Sequence, residues 1–452
     1  MHFGNRERWM AESFDLVLKG GTVVNQDGTG LADVGVRDGR ICALGDLNPS
    51  HAAKVVDAKG LTILPGVIDS QVHFREPGLE HKEDLETGSR AAVMGGVTAV
   101  FEMPNTIPLT TTADLLADKV TRARDRMFCD FAFYVGGTRE NVDEIPALER
   151  LEASAGIKVF MGSSTGDLLV DDAASLDRII GRISRRAAFH AEDEARLISR
   201  MGERVENDPA SHPVWRDETA ALMATTQLAE LAEKHRRRVH VLHISSAAEM
   251  AYLADHKRWV SVEVTPHHLT LAAPECYAEL GTYCQMNPPV RDAHHRDAIW
   301  AGLRSGVVDV LGSDHAPHTR EEKDHPYPKS HSGMTGVQTL VPVMLDHVNA
   351  GRLSLERFVD LTSHGPQRLF GIAGKGRIAV GYDADFTVVD LKRRETITSA
   401  WIESRCGWTP YDGKTVTGWP VGTFVRGKCV MWQGEIANSA HGAPVRFLEA
   451  GL

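Results

Sequence analysis

Polar side chains are concentrated in one otherwise apolar stretch, between residues 67 and 75. If this stretch is a β-strand, one of its faces carries Asp69, Gln71, His73 and Arg75. An exposed strand with a polar outer face is the alternative. A buried strand that ends in a tight loop is favoured, because the largely apolar residues 61–64 precede it and Pro-Gly pairs flank it. Polar groups buried in this way need a metal ion, a ligand or one another as partners.

Four more residues with potential ligand atoms lie at or near the ends of strand-like apolar runs farther along the chain: Lys158, His190, His243 and Asp314. They are far apart in the sequence and belong to separate strand–helix units. The ends of parallel strands meet at one face of a closed barrel. We therefore expect these residues to share a site with His73 if the middle of the chain forms such a barrel.

Lys158 is the most informative of these residues. It shares a strand face with Phe160, where an unpaired ammonium group would be too costly to bury. Reaction of its amine with carbon dioxide would give a carbamate, an anion that can bridge two metal ions. A lysine in a buried salt bridge is the alternative. Histidine nitrogens and carboxylate-type oxygens without a thiolate suit zinc, with manganese or cobalt as substitutes.

The elements that would position these residues alternate between short apolar strands and helices through the middle of the chain. This alternation predicts a (β/α)8 barrel, and the lack of a Gly-x-Gly-x-x-Gly motif after the first middle strand disfavours a dinucleotide-binding open sheet. Short β segments at both ends predict one small β-sandwich domain built from the two ends of the chain. We expect the small domain to comprise residues 12–63 and 371–440, and the barrel residues 64–370.

Composition narrows the functional class. The net charge of −11 and the pI near 6.0 argue against a nucleic-acid or anionic-membrane partner, which would need clustered cations. The basic run at residues 236–238 is interpreted as a solvated helix end. Six scattered cysteines without a Cys-x-x-Cys pair, and the lack of an apolar run of about 18 residues, predict a cytoplasmic protein without a thiolate zinc site.

Six motifs, in the same order along the chain, resemble dihydroorotase of the amidohydrolase superfamily. They occupy residues 69–78, 103–106, 156–161, 240–245, 287–291 and 312–318, and the segments 409–413 and 418–421 resemble the same family. The resemblance extends from about residue 14 to residue 435. Phe-Arg-Glu-Pro-Gly together with Met-Pro-Asn-Thr favours dihydroorotase over the related hydantoinases and allantoinases.

The resemblance implies a binuclear site for one or two zinc ions. The implied ligands are His73, Asp314 and a further first-strand residue, Gln71, for one ion, His190 and His243 for the other, and carboxylated Lys158 as the bridge. The family has a His-x-His pair in the first strand, whereas this chain has glutamine at the first of the two positions. An amide oxygen is a weaker, neutral zinc ligand, so we expect the first metal position to be the less occupied one.

The resemblance also implies roles in binding and proton transfer. Asp314 would take a proton from the attacking water and deliver it to the leaving nitrogen. Arg75 would bind a substrate carboxylate through its planar guanidinium, with Asn105 and His318 as neighbouring donors. Asn287 would contact the substrate ring. For the arginine, a salt bridge to a nearby glutamate is the alternative.

The activity implied is the reversible interconversion of (S)-dihydroorotate and N-carbamoyl-L-aspartate in pyrimidine synthesis, by a homo-oligomer that acts on a small molecule. Another cyclic amidohydrolase, acting on hydantoins, dihydropyrimidines or allantoin, is one alternative. A noncatalytic dihydroorotase-like partner of aspartate transcarbamoylase is the other, and Gln71 is its one support in the sequence. The presence of Lys158 and Asp314 argues against a noncatalytic role, because a scaffold has no use for them.

Overall fold

The computed structural model describes residues 13–163 and 168–448. Residue 12, with which the first predicted domain segment begins, lies outside these ranges. No helix within them is long and apolar enough to cross a membrane.

The N-terminal part of the chain forms short strands. In order they are β1 (Phe14–Lys19), β2 (Thr22–Asn25), β3 (Gly28–Leu31), β4 (Asp33–Arg37), β5 (Arg40–Gly45), β6 (Ala52–Asp57) and β7 (Thr62–Pro65). Asp38 and Gly39, with φ of 50° and 73°, form the tight turn between β4 and β5. This Asp-Gly pair suits a hairpin whose two central residues both need positive φ.

Eight parallel strands follow. They are β8 (Val67–Val72), β9 (Val97–Glu102), β10 (Asp130–Gly136), β11 (Ser154–Phe160), β12 (Ala187–His190), β13 (Val239–Val241), β14 (Val260–Val264) and β15 (Val310–Leu311). Each pairs with the next in sequence order. A parallel bridge between Val72 and His315 joins the first strand to the chain just after the last, so the sheet closes on itself. The predicted (β/α)8 barrel is confirmed.

Helices lie between the barrel strands and after them. They are α1 (Leu85–Met94), α2 (Ala113–Ala123), α3 (Ile145–Leu148), α4 (Ala173–Arg182), α5 (Glu194–Ser199), α6 (His212–Trp215), α7 (Glu218–His235), α8 (Ala247–Ala254), α9 (Pro266–Thr270), α10 (Glu275–Leu280), α11 (Ala293–Ser305), α12 (Arg320–Asp324), α13 (Leu340–Asn349), α14 (Leu355–Val359) and α15 (Gly365–Phe370). Local sequence sets the ends of α7, because Asp217 accepts from the Ala220 N–H at its start and Arg236 ends it in the left-handed conformation.

The C-terminal strands return to the N-terminal ones. They are β16 (Phe386–Thr396), β17 (Thr415–Val425), β18 (Lys428–Trp432) and β19 (Glu435–Ile436). One seven-stranded sheet runs β19-β18-β17-β16-β7-β2-β3, and a four-stranded sheet runs β5-β4-β1-β6. Both sheets contribute to one buried apolar cluster, with Leu18 and Val36 from one and Phe386 and Phe424 from the other. A small β-sandwich formed by both ends of the chain is therefore confirmed, while its residue limits remain a prediction.

Apolar side chains fill part of the barrel interior. Ile68, Phe101 and Leu242 belong to this cluster, and Val445 joins it from the last segment of the chain. The backbone N–H of Val445 donates to Phe131 O over 2.8 Å. The segment around Val445 therefore closes the end of the barrel at which the strands begin.

A buried polar pair inside the barrel corrects the expected geometry of the first strand. Ser70 Oγ donates to Glu263 Oε2 over 2.7 Å, and burial raises the pKa of Glu263 to about 8. Strict alternation would point Ser70 away from the face of Gln71, yet Gln71 also contacts a residue of the barrel, Asp314. The pairing register between β8 and β9 shifts in this segment. The alternation expected for this strand is therefore broken at Ser70, whereas Gln71, His73 and Arg75 line one pocket as expected.

Candidate active site

A narrow polar pocket opens at the end of the barrel where the strands finish. It is lined by Gln71, His73, Arg75, Asn105, Lys158, Phe160, His190, His243, Asn287, Asp314, Ala316, Ser332 and Gly333. Barrel closure thus brings the site residues predicted from the sequence into one pocket, except that His318 lies beside it, against Arg75.

His73 and Gln71 converge on Asp314. His73 Nε2 lies 3.3 Å from Asp314 Oδ1, and Gln71 Nε2 donates to the same oxygen over 2.9 Å. Burial by itself would raise the pKa of Asp314, but the hydrogen bond with His73 holds that pKa below its usual range. Asp314 is therefore an anion at neutral pH.

His190 and His243 form a second pair. His190 Nδ1 lies 3.1 Å from His243 Nε2. Burial lowers the pKa of both rings, so both are neutral near pH 7 and keep a lone pair for a metal ion. Glu192 Oε2 lies 3.0 Å from His190 Nε2, and Glu192 also pairs with Arg216. Glu192 therefore lies behind the histidine ring, where the carboxylates that support metal-binding histidines are found.

Lys158 reaches the same pocket from β11. Its side chain is buried, its Nζ has no hydrogen-bond partner, and that atom lies 4.2 Å from the centre of the Phe160 ring. Burial lowers the pKa of Lys158 to about 7, although Asp314 and Glu263 act in the opposite direction. The salt bridge considered as the alternative for this lysine is absent from the described part of the chain.

The donors present fit a metal centre. Lys158 Nζ and Gln71 Oε1 are buried ligand atoms that have no hydrogen-bond partner in the protein. Buried polar atoms without partners are costly, so a ligand that engages them is expected. The surrounding imidazoles and carboxylate, with no thiolate in the pocket lining, match the nitrogen and oxygen ligands that zinc accepts.

Arg75 is the second cationic group of the pocket, with only 1% of its surface exposed. Its Nε donates to Pro317 O over 3.2 Å and its Nη2 lies 3.4 Å from His318 Nε2, whereas its Nη1 has no partner. Burial lowers the pKa of Arg75 to about 10, although nearby carboxylates oppose this shift. Glu76, one alternative partner, pairs instead with Arg126 at 2.7 Å.

Asn105 and Asn287 both have a side-chain oxygen close to a histidine. Asn105 Oδ1 lies 2.8 Å from His73 Nδ1, and Asn287 Oδ1 lies 2.9 Å from His212 Nε2. Because a histidine engages the oxygen of Asn287, its amide N–H groups are the donors that it can offer to a ligand.

His318, Glu322 and His331 have ligand atoms within 4.8 Å of one another, which makes them a second candidate metal group. Lys82 argues against a metal ion there. Its Nζ lies 2.8 Å from Glu322 Oε1 and 3.2 Å from His318 Nδ1. The ammonium group of Lys82 already neutralises the Glu322 carboxylate, and a metal ion would have to displace that ammonium group.

Three pocket residues have a left-handed backbone conformation. Arg75, His243 and Asp314 have φ of 66°, 40° and 48°, and each follows the end of a barrel strand. Such conformations cost a non-glycine residue about 1–3 kcal/mol and persist where the surrounding structure imposes them. Strain of this kind clusters at functional sites. No local sequence signal identified it.

Comparison with known proteins agrees with this geometry. A sequence model of the amidohydrolase family matches residues 62–430. The dihydroorotase of Methanosarcina acetivorans is 34% identical over 451 residues, which cover 96% of this chain and 95% of that protein. The L-hydantoinase of Paenarthrobacter aurescens is also 34% identical, over 447 residues that cover 94% of this chain and 96% of that protein.

A solved structure shares the whole architecture. The L-hydantoinase (dihydropyrimidinase) from Arthrobacter aurescens superimposes with a TM-score of 0.91 at 32% identity, covering 96% of this chain and 100% of that one. The resemblance drawn from the sequence motifs is confirmed at the level of the family.

Proposed function

Because the chain belongs to the amidohydrolase family, we propose that it hydrolyses a cyclic amide in this pocket, and that the amide is (S)-dihydroorotate. The observation that carries the substrate assignment is the buried guanidinium of Arg75. Its Nη1 lacks a partner, and a buried cation with an open donor is best satisfied by a carboxylate. Dihydroorotate carries a carboxylate beside its ring, whereas hydantoin and dihydrouracil do not.

The proposed ligands divide between the two sides of the pocket. His73, Asp314 and Gln71 would hold one zinc ion, and His190 and His243 would hold the other. Lys158 joins them as a carbamate, which is supported by its lowered pKa and by the absence of a partner for Nζ. Zinc bound there would polarise the ring carbonyl and supply a nucleophilic water at neutral pH.

The protein's own groups then position the substrate and move the proton. Arg75 clamps the carboxylate and His318 braces the guanidinium, so the ring is oriented towards Asp314. Asp314 accepts the proton of the attacking water and returns it to the ring nitrogen as the carbon–nitrogen bond breaks. Asn287 donates to the ring. The product of adding water across the ring amide is N-carbamoyl-L-aspartate.

Hydantoin hydrolysis is the second candidate, supported by the close structural similarity to an L-hydantoinase. The experiment is to supply zinc-loaded protein with dihydroorotate, hydantoin and dihydrouracil and to measure ureido product. We expect kcat/KM for dihydroorotate to exceed that for hydantoin by about 10²-fold or more, because an unpaired Arg75 penalises uncharged rings. A preference for hydantoin would overturn the substrate assignment.

We expect a homo-oligomer, to be measured by light scattering, that acts in the cytoplasm. No disulfide joins the six cysteines in the described ranges, which agrees with a reducing compartment. If zinc-loaded protein turned over none of the three substrates yet bound aspartate transcarbamoylase, the noncatalytic alternative would replace the enzyme.

A further inference from the structure

A second cavity lies at the opposite end of the barrel from the active-site pocket. Its volume is about 310 Å³, within the range of small-molecule sites. Six of its lining residues are arginines: Arg185, Arg186, Arg236, Arg237, Arg238 and Arg368. Several of them precede β12 and β13, whereas the active-site residues follow the strands. The two sites are therefore separated by the length of the barrel.

The positive charge of this arginine cavity is poorly balanced within the protein. Asp309 acts on Arg186 but already pairs with Lys257, and Glu149 acts on Arg185. Burial lowers the pKa of Arg186 to about 10, and the charges of Arg238 and Arg368 contribute to the shift. In the described ranges, no carboxylate lies within ion-pair distance of the Arg236, Arg237, Arg238 or Arg368 guanidinium groups.

Helix stabilisation does not account for the arginine cavity. Cations next to the last turn of α7 would interact favourably with its dipole, which explains one or two charges at residues 236–238. It does not explain Arg186 or Arg368, which come from other parts of the chain. Arg186 is also held in place, because it donates to Val239 O over 3.1 Å, to Ser261 Oγ over 3.0 Å and to Leu369 O over 3.3 Å.

The size and charge of the arginine cavity define its ligand. Guanidinium forks match phosphate oxygens in pairs, and several forks around one small volume require several negative charges on a compact molecule. A monoanion would leave most of the positive charge unmatched. A long nucleic acid would also contact the surface around the cavity. The protein carries a net charge of −11, which disfavours such contacts.

We propose that the arginine cavity binds a compact polyphosphate anion, as the di- or triphosphate group of a nucleotide or as free pyrophosphate or tripolyphosphate. Trp259, which also lines the cavity, is available to a nucleobase. The basic run at residues 236–238, interpreted from the sequence as a solvated helix end, is then part of a binding site assembled from distant segments.

Calorimetric titration of the intact, zinc-loaded protein tests the proposal. The probes are orthophosphate, tripolyphosphate and ATP, each at low and high salt. The variant R236Q/R238Q removes two exposed charges from the arginine cavity, and K392Q/R394Q removes two exposed charges from β16 as the matched control. Because polyphosphates also bind free zinc, excess metal is removed first, and residual chelation would affect all three proteins equally.

We expect tripolyphosphate to bind wild type and the control alike, to bind more tightly than orthophosphate, and to bind R236Q/R238Q about tenfold or more weakly. High salt should weaken binding. If ATP binds with the same affinity as tripolyphosphate, the cavity recognises the phosphates alone. If ATP binds more tightly, the cavity also contacts the base. No binding to wild type, or equal binding by all three proteins, would overturn the proposal.

Discussion

The side-chain amide of Gln71 donates a hydrogen bond of 2.9 Å to Asp314 Oδ1. The nitrogen of Gln71 is thus turned towards the anionic ligand of the pocket, and its oxygen remains buried without a partner. An imidazole at this position would present a nitrogen lone pair to the metal. The amide oxygen of glutamine is a weaker zinc ligand than that nitrogen. The two proposed metal positions therefore differ in strength because of one side chain.

Gln71→His should raise the zinc content towards about two ions per chain and raise activity at limiting zinc. The reason is that an imidazole nitrogen binds zinc more strongly than the glutamine amide oxygen now present at the first metal position. Metal analysis by mass spectrometry after dialysis against a zinc buffer gives the readout. Identical metal content in wild type and variant would show that residue 71 does not limit occupancy.

Lys158→Ala should lose metal and activity together, because the proposed bridging carbamate cannot form. The variant should fold, since Nζ makes no hydrogen bond that folding depends on. Short carboxylic acids that occupy the vacated space should restore part of both. The thermal unfolding midpoint serves as the control for folding. Wild-type turnover in the folded variant would rule out the carbamate.

The pH dependence of carbamate formation should reflect the pKa of Lys158, lowered to about 7 by burial. Only the neutral amine attacks carbon dioxide, and the neutral fraction grows as pH rises. The rate at which metal-free protein recovers activity with zinc and constant dissolved carbon dioxide should therefore increase from pH 6 to about 7.5 and then level off. A rate still climbing tenfold per pH unit above pH 8 would indicate an ordinary lysine.

Asp314→Asn should keep much of the bound metal but reduce kcat by about 10²- to 10⁴-fold, because an amide cannot carry the proton. Asparagine tolerates the left-handed backbone found at this position, with φ of 48°, so folding should survive. Metal content and kcat are measured on the same preparation. A loss below about tenfold with the metal retained would assign proton transfer to another group.

Arg75→Lys should raise KM for dihydroorotate by about tenfold or more and leave any weak hydantoin hydrolysis unchanged, because a point charge cannot replace a bidentate fork. Arg126→Lys is the control, since Arg126 pairs with Glu76 outside the pocket. Unchanged KM in both variants would transfer the carboxylate clamp to another residue.

Much of the fold and of the candidate site could be predicted from the sequence, because these features depend on short stretches of the chain. Periodic apolar runs predict the barrel strands, and polar residues at their ends, such as His190 and His243, predict the pocket. Features that depend on the fold could not be predicted. Glu192 matters because folding brings Arg216 against it, and the arginine cavity exists because Arg368 meets residues far away in the sequence.

The position of the last segment has a consequence for how the chain is made. Val445 completes the barrel interior, and β16 to β19 complete a sheet begun by β2 and β7. A domain whose residues are contiguous can fold on the ribosome while later residues are still being added. Neither unit of this protein is complete before those later residues have been synthesised. Final packing of both units therefore follows the synthesis of β16 to β19 and of Val445.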